Sequence, residues 1–337
     1  MIDALSWTPR PRPDGDPLAD ALSTPAVPPP VTEDVRTWWP RHRALAARHP
    51  APFALAVAGG LAADRAAWAF GSGYQAALRA LAPGLPDDLV AAFCVTEEGG
   101  NRPRDILTVF RDAGNGSLSV TGAKRWSTLG PESGLLLVAG MLDMGPGAAP
   151  EGDPIGAGAR GSIRVLVVPA DTPGVRIEAM PPTRFVPELP HARIRFEAAR
   201  VPSTLLLPGD GYDRYVKPFR TIEDTHIAAA MLAWLLREAR CRGWPADFAE
   251  QCVAALCALE RVASMDAASP ACHVALTGVL GWVHRCYDAA GALWAGSGDE
   301  AAAARWIRDT ALFGMAANTR QLRAARAWER LSPTRAA

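Results

Sequence analysis

Between residues 89 and 207 the chain has a texture that few folds accommodate. Seven short apolar segments follow one another: 89–95, 106–111, 118–121, 135–142, 163–168, 175–180 and 191–196. Turn residues separate them, and no helix-length periodic run intervenes. Strands joined this way lack the helical crossovers that parallel pairing needs, so the pattern points to an antiparallel barrel or sandwich. Asn115-Gly116 marks a tight hairpin, because turns that match strand twist require positive φ at both central residues. Residues 143–161, rich in Gly, Pro and Ala, read as the most mobile internal loop.

On both sides the period changes to that of helices. Residues 1–31, with Pro28-Pro29-Pro30, read as a mobile arm. A helix is expected over 35–48, stopped by Pro50. Gly59-Gly60 then reads as a break, followed by a helix over 61–81 with Tyr74, Leu78 and Leu81 on one face. After residue 208, helices are expected at 220–242, 246–266, 270–294 and 299–331. The third carries an apolar stripe of Cys272, Leu276, Val279, Val283, Cys286, Ala290 and Leu293. The fold class is therefore α+β. An arm (1–31) precedes an N-terminal helical domain (32–88), a middle antiparallel β-barrel or sandwich (89–208) and a C-terminal four-helix bundle (209–337).

Lysine plus arginine and aspartate plus glutamate balance at 35 each over 337 residues, so nothing favours nucleic acid. No apolar run approaches the roughly 20 residues of a membrane helix, and residues 1–5 do not begin a signal peptide. The six cysteines form no CxxC and read as free thiols of a reducing cytoplasm. No metal-ligand spacing occurs. His273 and His284 lie eleven residues apart, about 16 Å along a helix, too far to share an ion.

Residues 93–130 hold the chemistry. One apolar run ends in Thr96-Glu97-Glu98-Gly99-Gly100, and an alternating run ends in Lys124-Arg125-Trp126-Ser127-Thr128. Two strand ends with hydroxyls, backbone donors and an indole suit a flat aromatic ligand. Further on, Val167-Val168-Pro169-Ala170-Asp171-Thr172-Pro173-Gly174-Val175 and Phe196-Glu197-Ala198-Ala199-Arg200-Val201-Pro202 complete a set of four motifs in register. Together they resemble the acyl-CoA dehydrogenase family, whose middle domain carries a "TEP.AGSD" turn and a "G.K.WIT" strand against the flavin. The resemblance implies FAD as cofactor and an acyl-CoA or related thioester as substrate. It also implies a homodimer or tetramer. Phe93, Val95 and Thr96 would line the ring, Trp126 would pack near its dimethylbenzene side, and Thr128 would bond near N5. Donors at these places favour electrons arriving on the ring. Cys94, alternating away from Phe93 and Val95, is expected to pack inside the barrel.

The chain also departs from the family. Arg102 stands where CoA-binding members usually have Ser, and an Arg there would suit a CoA phosphate. The "R.FG" diphosphate motif is replaced by Arg240-Cys241-Arg242-Gly243-Trp244-Pro245, and the "GG.GY" segment is missing between Gly278 and Gly298. Counting from Arg308-Asp309, the usual catalytic glutamate becomes Ala317, although Thr319 of that segment remains as a cofactor contact. Some members place the base in the first bundle helix. There this chain has Glu223-Asp224-Thr225-His226, with Asp224 in register and Glu223 beside it. Aspartate is a methylene shorter, so it needs a closer substrate. His226, three residues on, would share a network with Glu223. Arg320, Arg323, Arg326 and Arg330 repeat at helical spacing, as a solvated face or a phosphate-binding one.

Three functions remain open on these residues. The first is an FAD-dependent oxidoreductase acting on the CH–CH bond of an acyl thioester. The second is a flavoenzyme of other chemistry on the same fold. The third is a non-catalytic homologue serving as partner or scaffold of an active flavoenzyme.

Overall fold

The computed structural model describes residues 15–143, 162–315 and 317–332. Most of the expected loop at 143–161, and the first half of the expected arm, lie outside them. The described chain divides into two compact units. One holds residues 82–143, 162–182 and 189–218, and the other holds 15–81, 183–188, 219–315 and 317–332.

The first unit is built on a seven-stranded sheet. Its strands are β1 (Ala91–Cys94), β2 (Val109–Asp112), β3 (Ser117–Thr128), β4 (Leu135–Asp143), β5 (Ser162–Pro169), β6 (Val175–Ala179) and β7 (His191–Pro202). Each expected apolar segment contributes one strand. β4 is the hub. β5 runs antiparallel along it, while β1 and β2 lie parallel to it, β1 against its first half and β2 against its second. The remaining pairings, β2 with β3, β3 with β7 and β7 with β6, are antiparallel. The sheet is thus mainly antiparallel with two parallel pairings at its hub. Leu135, Leu136, Leu137, Val138 and Ala139 are all fully buried, as a strand covered on both faces requires. At the β2–β3 turn Asn115 and Gly116 have φ of 53° and 66°, the left-handed pair the hairpin needs.

The second unit is helical. It contains α1 (Pro17–Ser23), α2 (Val35–Arg48), α3 (Pro52–Leu61), α4 (Ala66–Leu81), most of α5 (Lys217–Arg242), α6 (Ala246–Ala263), α7 (Pro270–Ala295), α8 (Glu300–Asp309), α9 (Ala311–Gly314) and α10 (Ala317–Leu331). The Asp34, Ser269 and Asp299 side chains cap α2, α7 and α8 by accepting backbone N–H bonds.

Three expectations are corrected here. The arm contains α1, whose carbonyls at Ala21 and Leu22, with that of Thr24 just beyond its end, accept hydrogen bonds from the Arg240 guanidinium. Gly59-Gly60 does not break the chain but lies inside α3. A Cβ on Gly60 would sit 2.0 Å from the Ala230 carbonyl oxygen of α5, so glycine here serves close helix approach. The helix expected over 299–331 is divided. Phe313 turns inward to stack on Tyr287 at 4.1 Å and to meet Trp306 at 5.3 Å, and Gly314 ends the short α9. These rings join Trp234, Trp244 and Trp294 in one aromatic core.

Candidate functional site

In the first unit, a buried ion pair joins the two motif-bearing strand ends. Lys124, with a fully buried side chain, reaches the Glu97 carboxylate at 2.6 Å and the Val95 carbonyl at 3.3 Å. Glu97 also accepts from the Thr108 hydroxyl at 2.8 Å and from the backbone N–H groups of Thr108 and Leu107, both at 3.0 Å. Burial pushes the Glu97 pKa up. The Lys124 charge and these hydrogen bonds outweigh it and hold the carboxyl below its ordinary range. The backbone N–H of Arg125 donates to the Thr96 carbonyl at 2.9 Å, which sets the two motifs side by side. Sequence reading missed this pair. Its signal was a charged Lys124 at a strand position whose neighbours alternate inward.

Just beyond Lys124, β3 bulges. Lys124 pairs with Ile194 and Ser127 with Ala192, so β3 carries one residue more than β7. The extra length is taken up at Trp126, whose φ is 58°. A left-handed backbone at an aromatic residue is strained by about 1–3 kcal/mol, a condition that clusters at functional sites. The bulge sends side chains to opposite faces. Lys124, Ser127 and Cys94 are buried, with the Ser127 hydroxyl donating to the Cys94 sulfur at 3.4 Å. Burial raises that thiol's pKa to about 11, so Cys94 packs inside as expected. Trp126 is instead 47% exposed, beneath the Arg125 guanidinium at 5.3 Å and edge-on to His191 at 6.1 Å.

Thr128 is half-buried, and its hydroxyl lies 3.3 Å from His191 Nε2. Burial lowers the His191 pKa against a hydrogen bond to the Leu189 backbone, keeping the imidazole neutral. With the ring donating to Leu189, Nε2 is the acceptor and the Thr128 hydroxyl the donor. Phe93 is buried in β1, and Val95 and Thr96 are half-buried at its end. All five expected ring contacts therefore belong to this unit and to two adjoining strand ends. Arg102 is exposed, its backbone N–H bonded to Asp105 at 3.1 Å.

The acidic pair of α5 lies in the second unit. Asp224 does not present a free carboxylate. One oxygen accepts from Arg320 at 3.4 Å and the other from Arg323 at 3.1 Å. Arg323 also donates to the Thr221 hydroxyl at 2.9 Å. Two of the four regularly spaced arginines of α10 thus turn inward, while Arg326 and Arg330 are exposed. Glu223 pairs with Arg220 at 2.8 Å. Burial pushes its pKa up, Arg220 opposes this and Asp224 adds to it, leaving a net rise. Among the described residues, His226 makes no hydrogen bond to Glu223. Its Nδ1 lies 2.7 Å from the Ile222 carbonyl, and burial lowers its pKa to about 4. Thr319 is exposed on the first turn of α10.

The residues fit a flavin unevenly. The Trp126–Thr128 wall suits a flat ring, combining an accessible indole with a strained bulge that aims it. The counterpart of the diphosphate motif does not suit its ligand. Arg240 spends its donors on the α1 carbonyls. Arg242 is held by Glu238 at 2.7 Å and Asp299 at 3.0 Å, over the Trp294 ring at 4.6 Å.

This architecture is the acyl-CoA dehydrogenase fold. The FAD complex of PigA matches 93% of this chain and 92% of its own, at a TM-score of 0.63 and 13% identity. FkbI, for biosynthesis of the methoxymalonyl extender unit of the Fk520 polyketide immunosuppressant, matches 83% of this chain and 84% of its own, at 0.60 and 19%. Butyryl-CoA dehydrogenase from Megasphaera elsdenii matches 82% and 81%, at 0.54 and 16%. In sequence, no protein-family model and no curated protein matches the chain. Identities this low establish the fold and leave the reaction to the residues.

Proposed function

We propose that the protein is a flavin-dependent oxidoreductase acting on the CH–CH bond of an acyl thioester. The observation that carries this reading is the left-handed Trp126 at the β3 bulge, next to the Thr128 hydroxyl. Phe93, Val95, Thr96, Trp126 and Thr128 would hold the ring, with Thr319 as a further contact. FAD, when bound, supplies an acceptor for the hydride of the substrate's β-carbon. The chain itself must remove the α-proton. Glu223 suits that task better than Asp224. Its raised pKa makes it the stronger base and Arg220 holds one of its oxygens, whereas both Asp224 oxygens are engaged by guanidiniums. Asp224 then acts as a positioning residue, tying α5 to α10. Exposed Arg102 is available to a CoA phosphate. The reading includes a cytoplasmic homodimer or tetramer.

The test is a visible spectrum of the purified protein after incubation with FAD, followed by dye reduction with an acyl-CoA series. Flavin absorbance and turnover lost in Glu223→Gln are expected; a colourless protein at saturating FAD sinks the proposal. A second reading, a non-catalytic partner of an active flavoenzyme, is favoured by Ala317 and by the engagement of Arg240 and Asp224. Bound FAD with acyl-CoA turnover eliminates it.

A further inference from the structure

The helical unit contains a cavity of about 240 Å³ that neither Glu223 nor Asp224 lines. Its wall is Ala80 at the end of α4, Thr221, Ile222, Thr225 and His226 on α5, Val262 and Ala263 at the end of α6, Met265 just after it, and Ala267 and Cys272 beside the start of α7. Ile222, Ala263, Met265 and Ala267 are only half-buried, so the cavity opens to solvent.

The lining is uncharged. It contains no Asp, Glu, Lys or Arg. Burial keeps His226 neutral at pH 7 and raises the Cys272 pKa, so the thiol stays protonated. The charge nearest the lining, Arg323 on Thr221, is already paired with Asp224, so a charged ligand would lose hydration without gaining a free counter-ion. Polar groups are few, and their roles are determined. The Thr225 hydroxyl donates to the Thr221 carbonyl at 2.8 Å. Thr221 Oγ1 already accepts from Arg323, which leaves its own proton to give. The His226 Nδ1 contact is to a carbonyl, which only accepts, so Nδ1 carries the proton and Nε2 keeps a lone pair. An apolar body that covers Ile222, Val262, Met265 and Ala267 removes their surface from water, which is favourable.

We infer that this cavity is a binding site for a small neutral aliphatic molecule bearing one hydroxyl. The carbon body lies against Ile222, Val262, Met265 and Ala267, and the hydroxyl meets the donor of Thr221 and the acceptor of His226. The inference is independent of flavin binding. It also has a route to the α5–α10 tie, because Arg323 donates to both Thr221 and Asp224.

The test uses the full chain carrying ¹³C-methyl methionine, titrated separately with 1-hexanol, hexane, hexylammonium and hexanoate at low millimolar concentration. A saturable shift of the Met265 methyl signal, assigned with Met265→Leu, is expected with 1-hexanol. Hexylammonium and hexanoate should leave it in place, and hexane should bind at least tenfold more weakly. Ala263→Phe, which fills the cavity, should weaken 1-hexanol at least tenfold. Should that variant not fold, Thr221→Val reads the hydroxyl contact with little change in volume, and a tenfold loss is again expected. No saturable shift, equal response to charged and neutral ligands, or undiminished affinity in the folded variants overturns the inference.

Discussion

Single residues set the energetics of the strand-end site. Lys124 and Glu97 are buried against each other, so removing one partner strands a charge in a low-dielectric interior. Lys124→Met should destabilise the first unit by about 3–5 kcal/mol, while Lys124→Met with Glu97→Gln should recover part of the loss; urea denaturation of the three proteins measures this. Trp126 presents the opposite case. Glycine adopts its left-handed backbone freely, so Trp126→Gly relieves strain while losing the ring contacts. Stability should stay within about 1 kcal/mol of the parent, whereas flavin affinity, read by fluorescence titration, should drop at least tenfold. His226 ties stability to pH. Its folded pKa of about 4 lies below the ordinary value of 6.5, so the native state takes up its proton later than the unfolded chain. Stability is then complete above about pH 6.5 and declines as pH falls toward 4, by a total of roughly 3 kcal/mol from this group. Denaturation midpoints between pH 7 and 4 should decline accordingly, and less so in His226→Gln.

At the scale of elements, helix contacts decide what glycine means. Read locally, Gly59-Gly60 is a helix breaker, and the chain after it a fresh helix. In the folded unit α3 runs through both residues, because the missing Cβ at Gly60 lets the α5 backbone approach at Ala230. Gly73 on α4 faces α5 in the same way, with a Cβ there 2.6 Å from the Ile227 Cα. Gly60→Ala should therefore destabilise the helical unit by about 1–3 kcal/mol or more, although alanine is the better helix former. Thermal unfolding followed at 222 nm distinguishes this from the slight gain that propensity alone would give. The division of the last helix has a similar origin. Phe313 finds Tyr287 and Trp306, and Arg320 takes the freed Phe313 carbonyl at 3.0 Å.

For the molecule as a whole, the partners of the arginines bear on the proposed flavin site. Arg240, at the place of the diphosphate motif, holds the end of α1 instead. Arg240→Ala should thus release α1, seen as faster amide exchange over residues 17–24, and leave flavin affinity unchanged within about twofold. A large loss of flavin affinity in that variant would restore the diphosphate role. Among the described residues no helix is long and apolar enough to cross a membrane, and no cluster of three His, Cys, Asp or Glu side chains forms a metal site.

The seven strands, the Asn115-Gly116 hairpin and helices such as α2 and α7 were legible in the sequence because alternation, turn chemistry and caps act over a few residues. The strand ends that carry Thr96 and Trp126 to Thr128 were legible for the same reason, since both sit in local motifs. The partners of charged groups were not. Asp224 meets arginines 96 and 99 positions away, and Arg240 meets carbonyls 216 to 219 positions away. A periodic pattern states which face of an element is buried. Only the packed structure states what lies across from it, and that neighbour decides whether a carboxylate is free to act or an arginine free to bind.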